Sequence, residues 1–147
     1  MSTERFFGSW ELEEYSAISS DGALSYPLGE AAVGWGAYSP DGRMSAHLMR
    51  SDREPFGAGR RPGVDDIAAD LIVAAASGYI GYCGRYVVDP VMQIVSHAVE
   101  CALIPDWVGT TMVRSYTFIG DDQLILRPPP RGPVVSELRW KRCLEHR

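Results

Sequence analysis

Two short aromatic segments at opposite ends of the chain place the strongest constraint on its fold. Gly8-Ser9-Trp10 stands near the start, and Leu138-Arg139-Trp140-Lys141-Arg142 stands near the end of the 147 residues. We interpret them as the first and last strands of one antiparallel sheet, which pair with each other and close the sheet into a barrel. Closure removes the unpaired strand edges through which sheet proteins aggregate. In this arrangement Trp10 plugs the barrel floor, and the guanidinium of Arg142 lies over its indole.

The segments between these ends alternate in the two-residue period of strands. In the first strand, Trp10, Leu12 and Glu14 are predicted to share one face, with Tyr15 on the other. Further strands are predicted at about 33–39, 43–49, 80–88, 93–103, 112–118 and 124–126. Ser39-Pro40-Asp41-Gly42 is a turn that joins the first two of these as a hairpin. After it, Met44, Ala46 and Leu48 form the predicted core face, and His47 the outer face.

Residues 50–63 are rich in proline, glycine and arginine and are predicted to form a polar surface loop. Asp65 or Asp66 could cap a helix that runs to about Ser77, with Gly78 as its stop. This helix either packs outside the barrel or forms a lid over its mouth. The sequence therefore predicts an all-β fold, a closed antiparallel up-and-down barrel with one inserted helix at about 65–77, in a single domain over 1–147.

The overall charge excludes some partners. The net charge of −5 argues against an electrostatic hold on nucleic acid or on acidic membranes. The longest strongly apolar run, residues 71–76, is far shorter than a membrane span. We therefore expect no nucleic-acid and no membrane partner, and the sequence leaves a homodimer open.

Cysteine and histidine usage bears on location and cofactors. Cys83, Cys101 and Cys143 cannot all pair and show no metal-ligand spacing, so we expect reduced thiols in a cytoplasmic protein. The first residues lack the layout of a signal peptide. The three histidines, His47, His97 and His146, also lack a metal spacing, and we expect neither a metal nor a cofactor.

Strand register predicts which side chains meet inside the barrel. If Val88 pairs with Val91 across the Asp89-Pro90 turn, Tyr82 lies opposite His97. The same parity across the next loop, 105–109, places His97 beside Tyr116 or Phe118, and Arg114 near Val99 or Cys101. The predicted ligand-binding wall comprises Tyr82, Tyr86, Val95, His97, Val99, Met112, Arg114, Tyr116 and Phe118.

Such a wall suits a largely apolar, aromatic or conjugated ligand that a few polar groups orient. A buried Arg114 needs an anionic or carbonyl partner, which a ligand or a protein acid such as Glu100 could supply. A histidine with an ordinary pKa of about 6.5 could shuttle a proton, and Tyr82 with Arg114 could stabilise an oxyanion. The alternative at each residue is structural, because an inward histidine or tyrosine is commonly satisfied within the core.

Several sequence blocks together resemble the lipocalin-like domain family of small bacterial and fungal proteins. They are Gly8-Ser9-Trp10, Pro27-Leu28-Gly29, residues 38–45 (YSPDGRMS), 79–86 (YIGYCGRY), 95–100 (VSHAVE), 105–109 (PDWVG), Arg114 and Trp140-Lys141-Arg142. The resemblance implies a calycin-type barrel with an internal pocket. It also implies that some members and distant relatives act in natural-product pathways as isomerases or cyclases without a cofactor.

Three functions remain open at this point. The first is binding of a small, largely apolar molecule in the barrel. The second is a cofactor-independent isomerase, cyclase or dehydratase of natural-product biosynthesis, with His97, Tyr82 and Arg114 as its catalytic residues. The third is an interaction module with a filled interior, since fold alone does not choose among functions.

Overall fold

The computed structural model describes residues 3–144, which form one sheet and one helix. In chain order the elements are β1 (Gly8–Ile18), β2 (Leu24–Ser25), β3 (Val33–Tyr38), β4 (Arg43–Met49), α1 (Ala69–Ser77), β5 (Tyr79–Asp89), β6 (Ile94–Ala102), β7 (Thr111–Ile119), β8 (Gln123–Arg127) and β9 (Val135–Arg142). Short 3-10 turns precede β1, at Glu4–Phe6, and β7, at Pro105–Trp107.

The sheet closes on itself through its first and last long strands. The strand order around the sheet is β1-β3-β4-β5-β6-β7-β8-β9. All neighbouring strands are antiparallel, and β9 pairs with β1. The short β2 adds to the far end of β1, where Ala17 lies opposite Ser25. The predicted closed antiparallel barrel is therefore confirmed, with eight strands in the ring over the described residues.

The predicted contact between the two chain ends is present. Trp10 lies opposite Arg142 in the β1–β9 ladder, and the guanidinium carbon of Arg142 stands 4.3 Å from the centre of the Trp10 ring. Trp10 is buried, and its Nε1–H donates to the carbonyl of Phe6 over 2.9 Å. The Phe6 ring is completely buried in edge-to-face packing with three other aromatic rings, those of Tyr38, Tyr116 and Phe118. This end of the barrel is thus closed by Phe6 as well as by Trp10.

The face alternation holds in β4 and fails in β1. Met44, Ala46 and Leu48 are buried and His47 is exposed, as predicted. In β1 a register shift falls between Leu12 and Glu14. Such a bulge inserts one residue, so the side chains beyond it change faces. The prediction that placed Tyr15 on the face opposite Trp10 is wrong for this reason.

The predicted register between β5 and β6 is wrong by four residues. Val88 lies opposite Val95, not Val91, and His97 lies opposite Tyr86. The turn is longer than the predicted one because the Asp89 carboxylate accepts the backbone N–H groups of the two residues after Pro90. A shift by an even number keeps the same residues on the inner face, so His97 and Tyr86 are both buried.

The predicted register between β6 and β7 is wrong in the same way. His97 lies opposite Met112, and Arg114 lies opposite Val95. The loop between the strands folds back along β6, where Gly109 donates its N–H to the carbonyl of Val99. The ladder with β7 therefore begins closer to the middle of β6 than the positions of the loop prolines and glycines suggest.

The inserted helix is shorter than predicted. Its N-cap is Ala68, without a side-chain cap, because Asp65 instead accepts the N–H of Arg61 and closes a turn in the preceding loop. The end is as predicted, at Ser77, and Gly78 donates its N–H to Ala74. The helix contacts β5 from outside the barrel.

Two further features concern the helix and the cysteines. Within residues 3–144, no helix is long and apolar enough to cross a membrane. Cys83, Cys101 and Cys143 are free thiols, and the first two face each other across β5 and β6.

Candidate functional site

The barrel encloses a cavity of about 360 Å³. Trp10, Trp140 and Leu124 line it from the strands, while Trp107 and Pro128 line it from the loops that follow β6 and β8. The volume lies at the small end of the range of roughly 300–1,000 Å³ that ligand pockets occupy. No residue of α1 lines this cavity, which agrees with the helix packing outside the barrel.

A chain of three hydrogen-bonded side chains forms the polar part of the cavity wall. His97 stands at its centre and is 2% exposed. The hydroxyl of Tyr38 lies 2.7 Å from His97 Nε2, and the hydroxyl of Tyr82 lies 2.8 Å from His97 Nδ1. Both tyrosines and the histidine line the cavity. Both ring nitrogens are therefore occupied by partners that come from β3 and β5.

Burial keeps this histidine uncharged. Removal from water lowers the pKa of His97 to about 3, and the positive charge of Arg114 contributes to the same shift. A neutral imidazole has one N–H donor and one acceptor nitrogen. One tyrosine must therefore donate its hydroxyl proton to the ring, and the other must accept the ring N–H. The accepting tyrosine keeps its own O–H free to donate to a ligand.

Both tyrosines remain protonated phenols. Burial raises the pKa of Tyr38 well above its ordinary value, and the neighbouring Tyr82 adds to this rise. Burial also raises the pKa of Tyr82, although Arg114 opposes the shift. The triad therefore carries no charge at neutral pH and offers one hydroxyl donor to the cavity.

Arg114 supplies the charge beside this neutral triad. The residue is half-buried on β7 and lines the cavity. Its guanidinium donates to the carbonyl of Val113 over 3.0 Å and approaches Met112 Sδ at 3.5 Å. Among residues 3–144, no carboxylate forms an ion pair with it, and Glu100 instead pairs with Arg43 and Arg85.

The predicted site residues divide into two groups. Tyr82, His97 and Arg114 line the cavity together, as predicted from the inner-face pattern. The other six predicted ligand-binding residues do not line it: Tyr86, Val95, Val99, Met112, Tyr116 and Phe118. They pack in the core instead; the Tyr86 hydroxyl, for example, donates to the carbonyl of Ser39 over 2.8 Å.

Tyr38 lines the cavity and bonds His97, but it is not among the residues predicted from the sequence. A signal for it was present, because the Ser39–Gly42 hairpin places Tyr38 opposite Met44, a predicted core residue. Tyr15 and Arg131 also line the cavity. The sequence carries no comparable signal for them, since Tyr15 turns inward at a bulge and Arg131 lies in a proline-rich loop.

The titratable residues that the structure describes are not grouped as a metal centre requires. Within residues 3–144, no group of three or more His, Cys, Asp or Glu side chains is arranged to hold a metal ion. His97 also has no free ring nitrogen, because a tyrosine hydroxyl occupies each one.

The described residues thus form a closed eight-stranded antiparallel barrel around an internal cavity. A family model described as the lipocalin-like domain matches residues 7–143. The chain therefore belongs to the lipocalin-like domain family. No functionally curated protein shows significant sequence similarity to it.

Several solved barrels have a similar chain path. A redesigned β-barrel is 10% identical, with a TM-score of 0.48, and the match covers 97% of this chain and 96% of that one. A de novo designed fluorescence-activating β-barrel is 14% identical, with a TM-score of 0.46 and 97% coverage of both chains. A variant of the fluorescent protein UnaG is 13% identical, with a TM-score of 0.42, and the match covers 97% and 99%. At these scores the likenesses carry no argument about function.

Proposed function

We propose that this protein binds a small, largely apolar molecule, aromatic or conjugated, inside the barrel. The observation that carries the proposal is the cavity of about 360 Å³, whose wall is mostly aromatic and aliphatic but contains one connected polar group. Apolar contact supplies most of the affinity in such a site, and a few placed polar groups fix the orientation. An empty volume of this size also disfavours the alternative of an interaction module with a filled interior.

The polar group favours a ligand that accepts hydrogen bonds. His97 uses both ring nitrogens on Tyr38 and Tyr82, so the triad presents a tyrosine O–H to the cavity. Arg114 can only donate. A carbonyl or a related oxygen on the ligand would satisfy both groups.

The alternative of a cofactor-independent isomerase, cyclase or dehydratase has one specific observation in its favour. Tyr38 and Tyr82 both reach the cavity and are joined through an imidazole that can exchange tautomers. One tyrosine could protonate a substrate oxygen while the other receives a proton from substrate carbon, with His97 transferring one proton between them. His97 acting alone as the general base is a poorer mechanism than this relay, because its pKa of about 3 leaves the imidazole little basicity.

The location and the assembly belong to the same proposal. We place the protein in the cytoplasm, which its three free cysteines support because disulfides are rare in reducing compartments. The net charge of −5 supports the absence of a nucleic-acid partner. A homodimer stays compatible with a barrel whose outer face carries the exposed Val33 and Trp35.

Titration with a two-ring aromatic amide, 2-naphthamide, tests the binding proposal. We expect saturable one-to-one binding by the wild-type protein in isothermal titration calorimetry. Ala46→Phe should abolish it, because Ala46 lines the cavity and a phenyl ring there fills it. Ala98→Phe is the matched control, since Ala98 lies on the exposed face of β6. Absence of saturable binding by the wild type, or equal binding by Ala46→Phe, would contradict the proposal.

The fate of the bound molecule distinguishes the enzyme alternative from the binding proposal. Native mass spectrometry after incubation with extract of the source cells shows whether a retained mass stays constant or changes. The binder predicts a constant mass that is bound more weakly by His97→Ala. The enzyme predicts a changing mass, and the change stops in His97→Ala while binding persists.

A further inference from the structure

We infer that the molecule taken up by this barrel is an organic anion, with its acidic group held at Arg114 on the Arg131 side of the cavity. This inference rests on the proposed function, because it names the chemical class of the ligand. A carboxylate or an equally compact oxyanion meets the requirement.

The charges of the cavity wall are opposite in sign to those of the protein as a whole. The chain carries a net charge of −5, with 19 acidic and 14 basic residues. Within the part of the chain that the structure describes, the cavity wall contains Arg114 and Arg131 but no aspartate or glutamate. A wall with only positive side chains in an acidic protein concentrates anions and repels cations.

Within residues 3–144, no carboxylate pairs with Arg114, although a half-buried guanidinium ordinarily has one. Its partners there, the carbonyl of Val113, Met112 Sδ and the Tyr82 hydroxyl, are all neutral. Other arginines of the sheet have carboxylates: Arg43 and Arg85 pair with Glu100, and Arg127 pairs with Glu137. An arginine cannot lose its charge, so partial burial without an anion is unfavourable until a ligand supplies one.

The position of the second arginine is fixed by the backbone. Arg131 and Val134 exchange two backbone hydrogen bonds, of 3.0 and 3.1 Å, which close a tight turn after the proline run 128–130. Pro128, Pro129 and Arg131 line the cavity together from this loop. A ligand entering on this side would therefore meet a positive charge before it reaches the aromatic interior.

The neutral triad also favours an anionic ligand. Tyr82 and Arg114 are close enough for the arginine to oppose the rise in the tyrosine pKa. An anion at this place would accept the tyrosine O–H and the guanidinium N–H groups together, and such charge-assisted hydrogen bonds are roughly twice as strong as those between neutral groups. A cationic ligand would meet no negatively charged side chain in the described part of the cavity wall.

The test compares two probes that differ only in charge: 2-naphthoate and 2-naphthamide. At neutral pH we expect the wild-type protein to bind the carboxylate roughly 10- to 100-fold more tightly than the amide, which is the scale of a hydrogen bond to a charged group. Arg114→Gln should remove this preference by weakening naphthoate binding roughly 10-fold or more and naphthamide binding, which loses a weaker hydrogen bond to a neutral oxygen, by less. Arg85→Gln is the matched control, because it removes the same charge from an outer-face residue.

The outcomes separate this inference from the proposed function. Equal affinity of the wild type for both probes, or a preference that survives Arg114→Gln, overturns the anion inference and leaves the binding proposal standing. An equal loss of preference in Arg85→Gln also overturns it, because the effect would then follow net charge. Failure of the wild type to bind either probe overturns the proposed function and the inference with it. Loss of the preference in Arg114→Gln alone establishes the anion site.

Discussion

His97 is the central residue of the polar part of the cavity. It is buried at the centre of the barrel, and each ring nitrogen contacts one tyrosine hydroxyl. Burial and the nearby charge of Arg114 hold this ring in its neutral form, in which one nitrogen donates and the other accepts. The residue that reads as a proton shuttle in the sequence is thus better suited to fix two tyrosines toward a ligand.

Acid should destabilise the fold through this one histidine. The pKa of His97 is about 3 in the folded protein, against about 6.5 in an unfolded chain. Between these values the unfolded state binds more protons, so the free energy of unfolding decreases as pH falls below about 6.5. From pH 7 to pH 5 we expect a loss of about 2 kcal/mol from this residue alone. Urea unfolding of the wild type and of His97→Gln at both pH values measures it, and the variant should lack this loss.

A second measurement keeps this prediction testable if His97→Gln folds poorly. The ring protons of His97 in the wild type should show no titration between pH 7 and pH 5 in NMR spectra, because the imidazole stays neutral there. A titration centred near pH 6.5 would contradict the assignment of a neutral ring with a hydrogen bond at each nitrogen.

At the scale of strands, the sequence predicted which faces are buried better than which residues are opposite each other. Alternation placed Tyr82, His97 and Arg114 on the inner face, and the cavity contains all three. The registers of both neighbouring hairpins were nevertheless wrong by an even number of residues. Face depends only on parity, whereas register depends on hydrogen bonds in the turns, such as those accepted by Asp89, which alternation does not report.

Substitution by alanine should affect the free energy of unfolding very differently at two glycines of the sheet. A Cβ added at Gly84, opposite the bulge at Glu100 of β6, would fall on the backbone carbonyl of Ala98, which cannot move without breaking the ladder. A Cβ added at Gly36 would meet the Trp140 ring at 3.5 Å and the Ser45 carbonyl at 3.6 Å, both ordinary contact distances. We expect Gly84→Ala to lower the free energy of unfolding by about 3 kcal/mol or more, and Gly36→Ala to change it by less than about 1 kcal/mol.

Urea denaturation of the two variants checks this expectation, with soluble yield as a second readout for Gly84→Ala. The Gly36→Ala variant also reports on the cavity, because Gly36 lines it. Equal stability of the two variants would show that β5 and β6 can separate at Ala98 without cost, contrary to the close approach seen in the bulge.

At the scale of the whole molecule, closure of the barrel brings distant parts of the chain to a single arginine. Arg142 Nη1 donates to the carbonyl of Phe7 over 2.7 Å, Nη2 to the carbonyl of Arg5 over 2.7 Å, and Nε to the carbonyl of Asp121 over 3.0 Å. The same guanidinium covers the ring of Trp10. The resemblance of the two chain ends to a family signature predicted the pairing with Trp10. The three carbonyls could not be read from the sequence, because two belong to the segment around the Glu4–Phe6 turn and the third belongs to the turn between β7 and β8.

Substitution of Arg142 should therefore cost more than substitution of another arginine on the same strand. Arg142→Met removes three charge-assisted donors and leaves their carbonyls to water, and we expect a loss of about 2–3 kcal/mol in the free energy of unfolding after allowance for partial exposure. Arg139→Met is the control, because Arg139 makes only an exposed ion pair with Glu137, worth less than about 1 kcal/mol. Tryptophan fluorescence in urea measures both. If the two variants lose the same stability, barrel closure depends on the β1–β9 ladder alone. If Arg142→Met loses more, the arginine also stabilises the Glu4–Phe6 turn, whose Phe6 closes this end of the barrel.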